Sequence, residues 1–254
     1  MEADKDDFVA GMLAGSQNSL ARLITLIDND SPDVPDIMAR ITPYTGKAYR
    51  VGITGAAGVG KSTLASALAT IARNKGLSVG IVATDPSSVI HGGAVLGDRI
   101  RMQEHFLNSE VFIRSMATRG SQSGLSRHIG DVVKLLDAFG KDIIIVETIG
   151  VGQTETGIAE IADTVVLVLS PESGDSIQFM KAGLMEIADI IVVNKADRHN
   201  AENLVSELVA SLSLRTSSDR LSPVVLTTQA VNNIGIDELY QELEKRQAAT
   251  KAED

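Results

Sequence analysis

Residues 55–62 read Gly55-Ala56-Ala57-Gly58-Val59-Gly60-Lys61-Ser62, a G-x-x-x-x-G-K-S octet. A β-branched run over residues 49–54 leads into it, and a helix-forming run over residues 63–72 leads out. Strand, glycine loop and helix, in that order, is the setting in which this octet forms a phosphate-binding P-loop. Glycines let successive backbone N–H groups turn inward around a polyphosphate, and the helix start adds its positive dipole end. Lys61 supplies a mobile point charge for the outer phosphates, and Ser62 offers a hydroxyl to Mg²⁺. The expected phosphate cradle is therefore Gly55, Ala56, Ala57, Gly58, Val59, Gly60, Lys61, Ser62 and Thr63.

From residue 49 onward the chain alternates between strand-like and helix-like runs. Strands are expected over residues 49–54, 78–84, 111–115, 142–147, 164–170, 189–194 and 223–228. Most are continuous Val/Ile/Leu stretches, the pattern of strands covered on both faces. Helices are expected over residues 61–75, 99–107, 125–139, 177–187, 201–212 and 236–246. The repetition predicts an α/β fold: a doubly wound, mainly parallel sheet of the P-loop NTPase type. Ahead of it, residues 7–27 carry apolar positions at helical spacing, and a short helix is expected over residues 34–41. Residues 1–46 thus read as an N-terminal helical extension, 47–247 as the nucleotide-binding domain and 248–254 as a tail. The apolar face of the extension suits core packing better than the capture of a partner.

Composition removes several function classes. The chain has 254 residues and a net charge of −10, which argues against a surface that tracks a nucleic-acid backbone. Aromatic residues make up only 3%, too few for platforms that stack bases. With no cysteine, disulfides, thiolate metal sites and thiol catalysis are excluded. No apolar run approaches the length that crosses a bilayer, so a soluble, cytoplasmic protein is expected.

Ligands of such sheets sit beyond the carboxyl ends of the strands. The second strand ends at Asp85-Pro86, which reads either as a turn initiated by Asp-Pro or as a carboxylate placed to hold magnesium-bound or attacking water. A glycine-rich loop then leads to Asp98, which reads either as a helix N-cap or as an acid that approaches the metal. The fourth strand ends at Glu147, with Gly150 placed to offer its N–H to a γ-phosphate and Gln153 placed to orient water. The sixth strand runs into Asn194-Lys195-Ala196-Asp197, an N-K-x-D tetrapeptide. A carboxylate at Asp197 can accept from both guanine N1–H and the 2-amino group, whereas adenine has neither donor there. The stem of Lys195 can lie along the base, and Thr228, Gln229 and Ala230 are placed to cover it with backbone N–H groups. Arg99, Arg101, Arg114, Arg119 and Arg127 crowd the stretch between the two switch-like loops, as a solvated basic face or as the source of an arginine finger.

With these pieces assembled, the sequence resembles the MeaB/ArgK family of P-loop GTPases over residues 49–243. The resemblance is carried by Asp85-Pro86-Ser87-Ser88, Leu96-Gly97-Asp98-Arg99, residues 147–155 (Glu-Thr-Ile-Gly-Val-Gly-Gln-Thr-Glu) and the stretch from Met185 to Asp197. It implies GTP and GDP as ligands, with Ser62, Asp85, Asp98 and Glu147 gathered around Mg²⁺. Lys61, Asp85, Glu147 and Gln153 are then the candidate catalytic residues. It also implies an adenosylcobalamin-dependent acyl-CoA mutase of the methylmalonyl-CoA mutase type as partner, with GTP hydrolysis gating cofactor loading and protecting the mutase. Residues 170–175 and Lys181 resemble the family's extra switch toward that mutase, and members form homodimers. Ala56-Ala57 stands where the family usually has Pro-Pro, a change that leaves the backbone N–H groups in place. Two other readings compete: a metallochaperone GTPase, and a kinase linked to amino-acid transport, a label relatives once carried.

Overall fold

The computed structural model describes residues 2–85, 102, 105, 108–117, 125–150, 155–172, 184–213 and 223–253. Seven strands form one sheet: β1 (Tyr49–Thr54), β2 (Val79–Asp85), β3 (Val111–Ala117), β4 (Ile143–Glu147), β5 (Thr164–Leu169), β6 (Ile190–Asn194) and β7 (Val224–Thr228). Their order is β3-β2-β4-β1-β5-β6-β7, and every neighbouring pair is parallel. The apolar runs explain the placement, because β4, β5 and β6 are buried along their whole length. A parallel pair needs a crossover between its strands, and among the described residues helices lie between β1 and β2, between β3 and β4 and between β6 and β7. The described helices are α1 (Glu2–Leu13), α2 (Gln17–Asp28), α3 (Val34–Ile41), α4 (Lys61–Asn74), α5 (Ile129–Ala138), α6 (Leu184–Ile187), α7 (Ala201–Ser213) and α8 (Ile236–Glu253).

Each face of the sheet has its own core. On one, Leu64 and Leu68 of α4, Leu204 and Leu208 of α7, and Leu239 and Leu243 of α8 pack with Ile53, Val166 and Val192. On the other, α5 and the three N-terminal helices pack with Val82, Ile144, Val146 and Val165. Leu20, Leu23, Ile24 and Ile27 of α2 are all fully buried there, so the extension's apolar face belongs to the protein's own core. Burial of four such side chains contributes about 1.5–3 kcal/mol each.

The N-terminal stretch read as one helix over residues 7–27 is two helices. Gly15 takes a left-handed φ of +91° that ends the first, and the Ser16 hydroxyl accepts from Ser19 N–H at 3.3 Å to start the second. The apolar spacing keeps its phase across this turn, so periodicity alone does not reveal the break. The last helix continues to Glu253, through residues read as a tail.

The entry into β1 is fixed from below by Asp137 of α5. Its buried carboxylate accepts the backbone N–H groups of Gly46, Lys47 and Ala48 at 2.5, 3.1 and 3.0 Å. Three donors on one charged acceptor make a strong local tie. Asp137→Ala is expected to lower unfolding stability by about 3 kcal/mol, because hydrogen bonds to a charged group are each worth about 1.5–3 kcal/mol. Urea unfolding checks this: the midpoint should fall with little change in slope, and an unmoved midpoint refutes the tie.

Candidate functional site

The octet at 55–62 forms the turn between β1 and α4. Gly60, the residue before α4, has φ +101°, and a side chain there would overlap the Asn194 amide. The loop therefore closes directly onto the tetrapeptide at the end of β6. Gly150, at φ +84°, lies against the other side of the loop. A Cβ at that position would stand 2.6 Å from Lys61 Nζ and 2.7 Å from Ala57 N. Both glycines are required by close approach of backbone to a loop that must wrap phosphate.

Lys61 opens α4, is 5% exposed, and donates from Nζ to the carbonyls of Gly55 at 2.9 Å and Ala56 at 3.0 Å. Ser62 follows, and its hydroxyl donates to Glu147 Oε1 at 2.7 Å. The register Ile53↔Glu147 sets that carboxylate beside the strand that feeds the P-loop. Glu147 is buried, and Thr148 beyond it is locked by its N–H to Ile53 O at 3.0 Å and its hydroxyl to Thr54 Oγ1 at 3.2 Å.

Asn194 joins the two ends of the site. Its Nδ2 donates to Val59 O at 2.8 Å, while Oδ1 accepts from Thr228 Oγ1 and Ala230 N, each at 3.0 Å. One amide thus links the P-loop, the end of β6 and the loop after β7. Lys195 follows at a left-handed φ of +57°, with Nζ 3.1 Å from Glu172 Oε2. Asp197 keeps its carboxylate half exposed.

These groups surround a single crevice of about 680 Å³. Ala57, Gly58, Gly60, Lys61, Ser62 and Thr63 line one end, and Asn194, Lys195, Asp197, Gln229 and Ala230 line the other. Glu147 belongs to the P-loop end, since β4 lies on the opposite side of β1 from β6 and its carboxylate accepts from Ser62. Gly55, Ala56, Val59, Gly150 and Thr228 lie behind this lining and hold it in shape. The volume is in the range of small-molecule and cofactor pockets.

Some expectations meet a different geometry. The N–H of Gln229 donates to Ile234 O at 2.9 Å and that of Ala230 to Asn194, so both are engaged inside the loop. Arg114 and Arg127 are turned toward the N-terminal helices, donating to Thr25 and Asp30, and neither lines the crevice. Thr148 and Ile149 of the 147–155 segment line it, and so do Arg198, Thr84, Val231 and Asn232, which the sequence did not single out. Arg198's only signal was its place directly after the tetrapeptide. Asp85 ends β2, but its side chain lies outside the described residues, as do Asp98, Gln153, Arg99, Arg101, Arg119 and Lys181. No described helix is long and apolar enough to cross a membrane.

Known proteins give this geometry a context. The family model described as methylmalonyl Co-A mutase-associated GTPase MeaB matches residues 20–253. A protein of Pyrococcus abyssi, whose name assigns it as a GTPase only provisionally, is 51% identical over 243 residues, 94% of this chain and 75% of its own. The GTPase ArgK of Escherichia coli is 36% identical over 248 residues, covering 94% of this chain and 75% of its own. A crystal structure of a LAO/AO transport system kinase superposes with a TM-score of 0.79 at 31% identity, covering all of this chain and 78% of that one. The sheet order, the crevice and these likenesses agree: the chain is a P-loop GTPase and belongs to the MeaB family.

Proposed function

We propose that this GTPase is a nucleotide-driven chaperone of an adenosylcobalamin-dependent acyl-CoA mutase, gating cofactor loading and protecting the mutase. The observation that carries the nucleotide half is the single crevice with Lys61 at one end and Asp197 at the other. In this reading the P-loop N–H groups and Lys61 hold the β- and γ-phosphates, and Asp197 accepts from the guanine edge. Asn194 orients both ends through its three hydrogen bonds. The mutase half is supported by the family's description and by a relative in Caenorhabditis briggsae. That relative, named methylmalonic aciduria type A homolog, mitochondrial, is 36% identical over 240 residues, 87% of this chain and 58% of its own.

A magnesium ion fits the phosphate end. Ser62 and Glu147 present adjacent oxygens in a buried position, and hard oxygen donors suit Mg²⁺. Ser62 Oγ would ligate it, with Glu147 reaching it directly or through water, and Asp85 and Asp98 are the further candidates. When bound, the ion neutralises charge on the phosphates as the terminal bond breaks. The chain's own part is to hold the triphosphate in line and keep Lys61 on its outer oxygens. By this reading Gly150, packed against the P-loop, offers its N–H to the γ-phosphate. A metallochaperone role has less support: the chain has no cysteine, and no cluster of three ligating side chains exists among the described residues.

Two measurements test the proposal. Asp197→Asn should exchange guanine for xanthine, because the new amide can donate to the 2-oxo group of xanthine. A preference for xanthosine nucleotides of at least tenfold is expected, and retained guanine preference refutes the base assignment. Phosphate release should rise when purified methylmalonyl-CoA mutase is added. Unchanged turnover combined with phosphate transfer to a protein or amino acid would instead favour the kinase reading that the LAO/AO neighbour's name suggests.

A further inference from the structure

Four charged groups form a row at the base end of the crevice. Lys195 Nζ lies 3.1 Å from Glu172 Oε2. Arg198 Nε lies 3.6 Å from Glu172 Oε1 and 3.5 Å from Asp197 Oδ2. Glu172 thus gives one oxygen to each of two cations, and Arg198 is divided between two carboxylates. Glu172 comes from the exit of β5, while the other three come from the exit of β6. The two exits meet because β5 and β6 are parallel neighbours, with Leu169 opposite Val193.

The row bears on how a base is read. To accept from N1–H and from the 2-amino group of guanine, Asp197 must turn both oxygens toward the base. A guanidinium on Oδ2 competes for one of them. A second carboxylate that shares the guanidinium weakens its hold on that oxygen, and Glu172 is so placed, with Arg198 Nε 3.6 Å from it against 3.5 Å from Asp197. Its second oxygen holds the Lys195 ammonium outside, which leaves the apolar stem of that residue along the crevice wall.

We propose that Glu172 is a positioning residue for base specificity. By competing with Asp197 for Arg198 it leaves Asp197 freer for guanine, and it thereby raises the preference for guanine over hypoxanthine. The proposal rests on Asp197 as the base acceptor. Each pair in the row is partly exposed, so each is worth a modest amount, and the effect on binding is a few-fold rather than orders of magnitude.

The test uses the full chain, with GDP and inosine diphosphate, which lacks the 2-amino group, as calorimetric probes. Glu172→Gln is expected to weaken GDP about three- to five-fold and inosine diphosphate less, so the preference narrows. The loss should fade at about 1 M salt, where screening reaches a few ångströms. In an Arg198→Gln background the same Glu172→Gln change should have no further effect, since there is no longer a cation to restrain. A purely structural role for Glu172 would weaken both nucleotides equally and would persist in that background. Three results are decisive against the relay: equal losses, an effect that survives Arg198→Gln, or a Glu172→Gln protein that matches the parent. If Asp197→Ala leaves the preference for GDP over inosine diphosphate intact, the base assignment itself is wrong and the relay falls with it.

Discussion

Lys61→Ala is expected to weaken GTP and GDP binding about 100-fold and to abolish measurable hydrolysis. The ammonium is buried at the phosphate end of the crevice, where its charge is poorly screened. Its two carbonyl partners, Gly55 O and Ala56 O, hold it at the mouth of the P-loop rather than in solvent. A charge-assisted hydrogen bond is worth about 1.5–3 kcal/mol, and 2.7 kcal/mol is about a factor of 100 in affinity. The same loss reads out as thermal stabilisation by nucleotide. At a GDP concentration about 1,000 times the parent's Kd, binding adds about 4.1 kcal/mol to stability. After a 100-fold loss the same concentration adds only about 1.4 kcal/mol. Calorimetric scans with and without GDP measure the difference directly. If the shift in Tm survives the substitution, Lys61 does not bind the phosphates. Base preference should be unchanged in the weakened protein, because the residues at the other end of the crevice are untouched.

What could be read before the fold was known follows from where each signal resides. The strands were legible because β4, β5 and β6 are runs of Val, Ile and Leu that only a doubly covered sheet explains. The P-loop was legible because its chemistry is local: eight consecutive residues carry the turn, the cation and the hydroxyl. The pairing of Ser62 with Glu147 was partly legible, since one lies in the first turn of the helix after β1 and the other ends β4 at the same sheet edge, 85 residues apart in sequence. Glu172 was not. Nothing near it in the chain marks a base site, and it reaches Lys195 and Arg198 only because two parallel strands release their loops side by side. The turn at Gly15 was missed for the opposite reason, as a local break hidden by an apolar spacing that continues through it. Gln229 and Ala230 line the crevice, yet their N–H groups close their loop on Ile234 and Asn194. Backbone donors cannot be assigned from residue type, because every residue but proline carries the same one.

Asn194 carries the second large effect, and it differs in kind from that of Lys61. The side chain is buried, and its amide satisfies Val59 O, Thr228 Oγ1 and Ala230 N at once. Val59, Thr228 and Ala230 are themselves nearly inaccessible. Asn194→Ala would therefore orphan three buried polar groups, each at about 1–3 kcal/mol where water cannot replace the partner. A stability loss on the order of 4 kcal/mol is expected, a large fraction of what a domain possesses. Because the same amide ties the P-loop to the base loop, phosphate affinity and base affinity should fall together. Asn194→Asp separates the two contributions of the amide. It keeps an acceptor for Thr228 and Ala230 but sets a carboxylate against the Val59 carbonyl, so it should disturb the P-loop more than the base loop. Urea unfolding together with titrations of GDP and guanosine resolves these outcomes. If Asn194→Ala binds guanosine and GDP as the parent does, the crevice is held by something other than this amide. A loss confined to guanosine would make Asn194 a reader of the base alone.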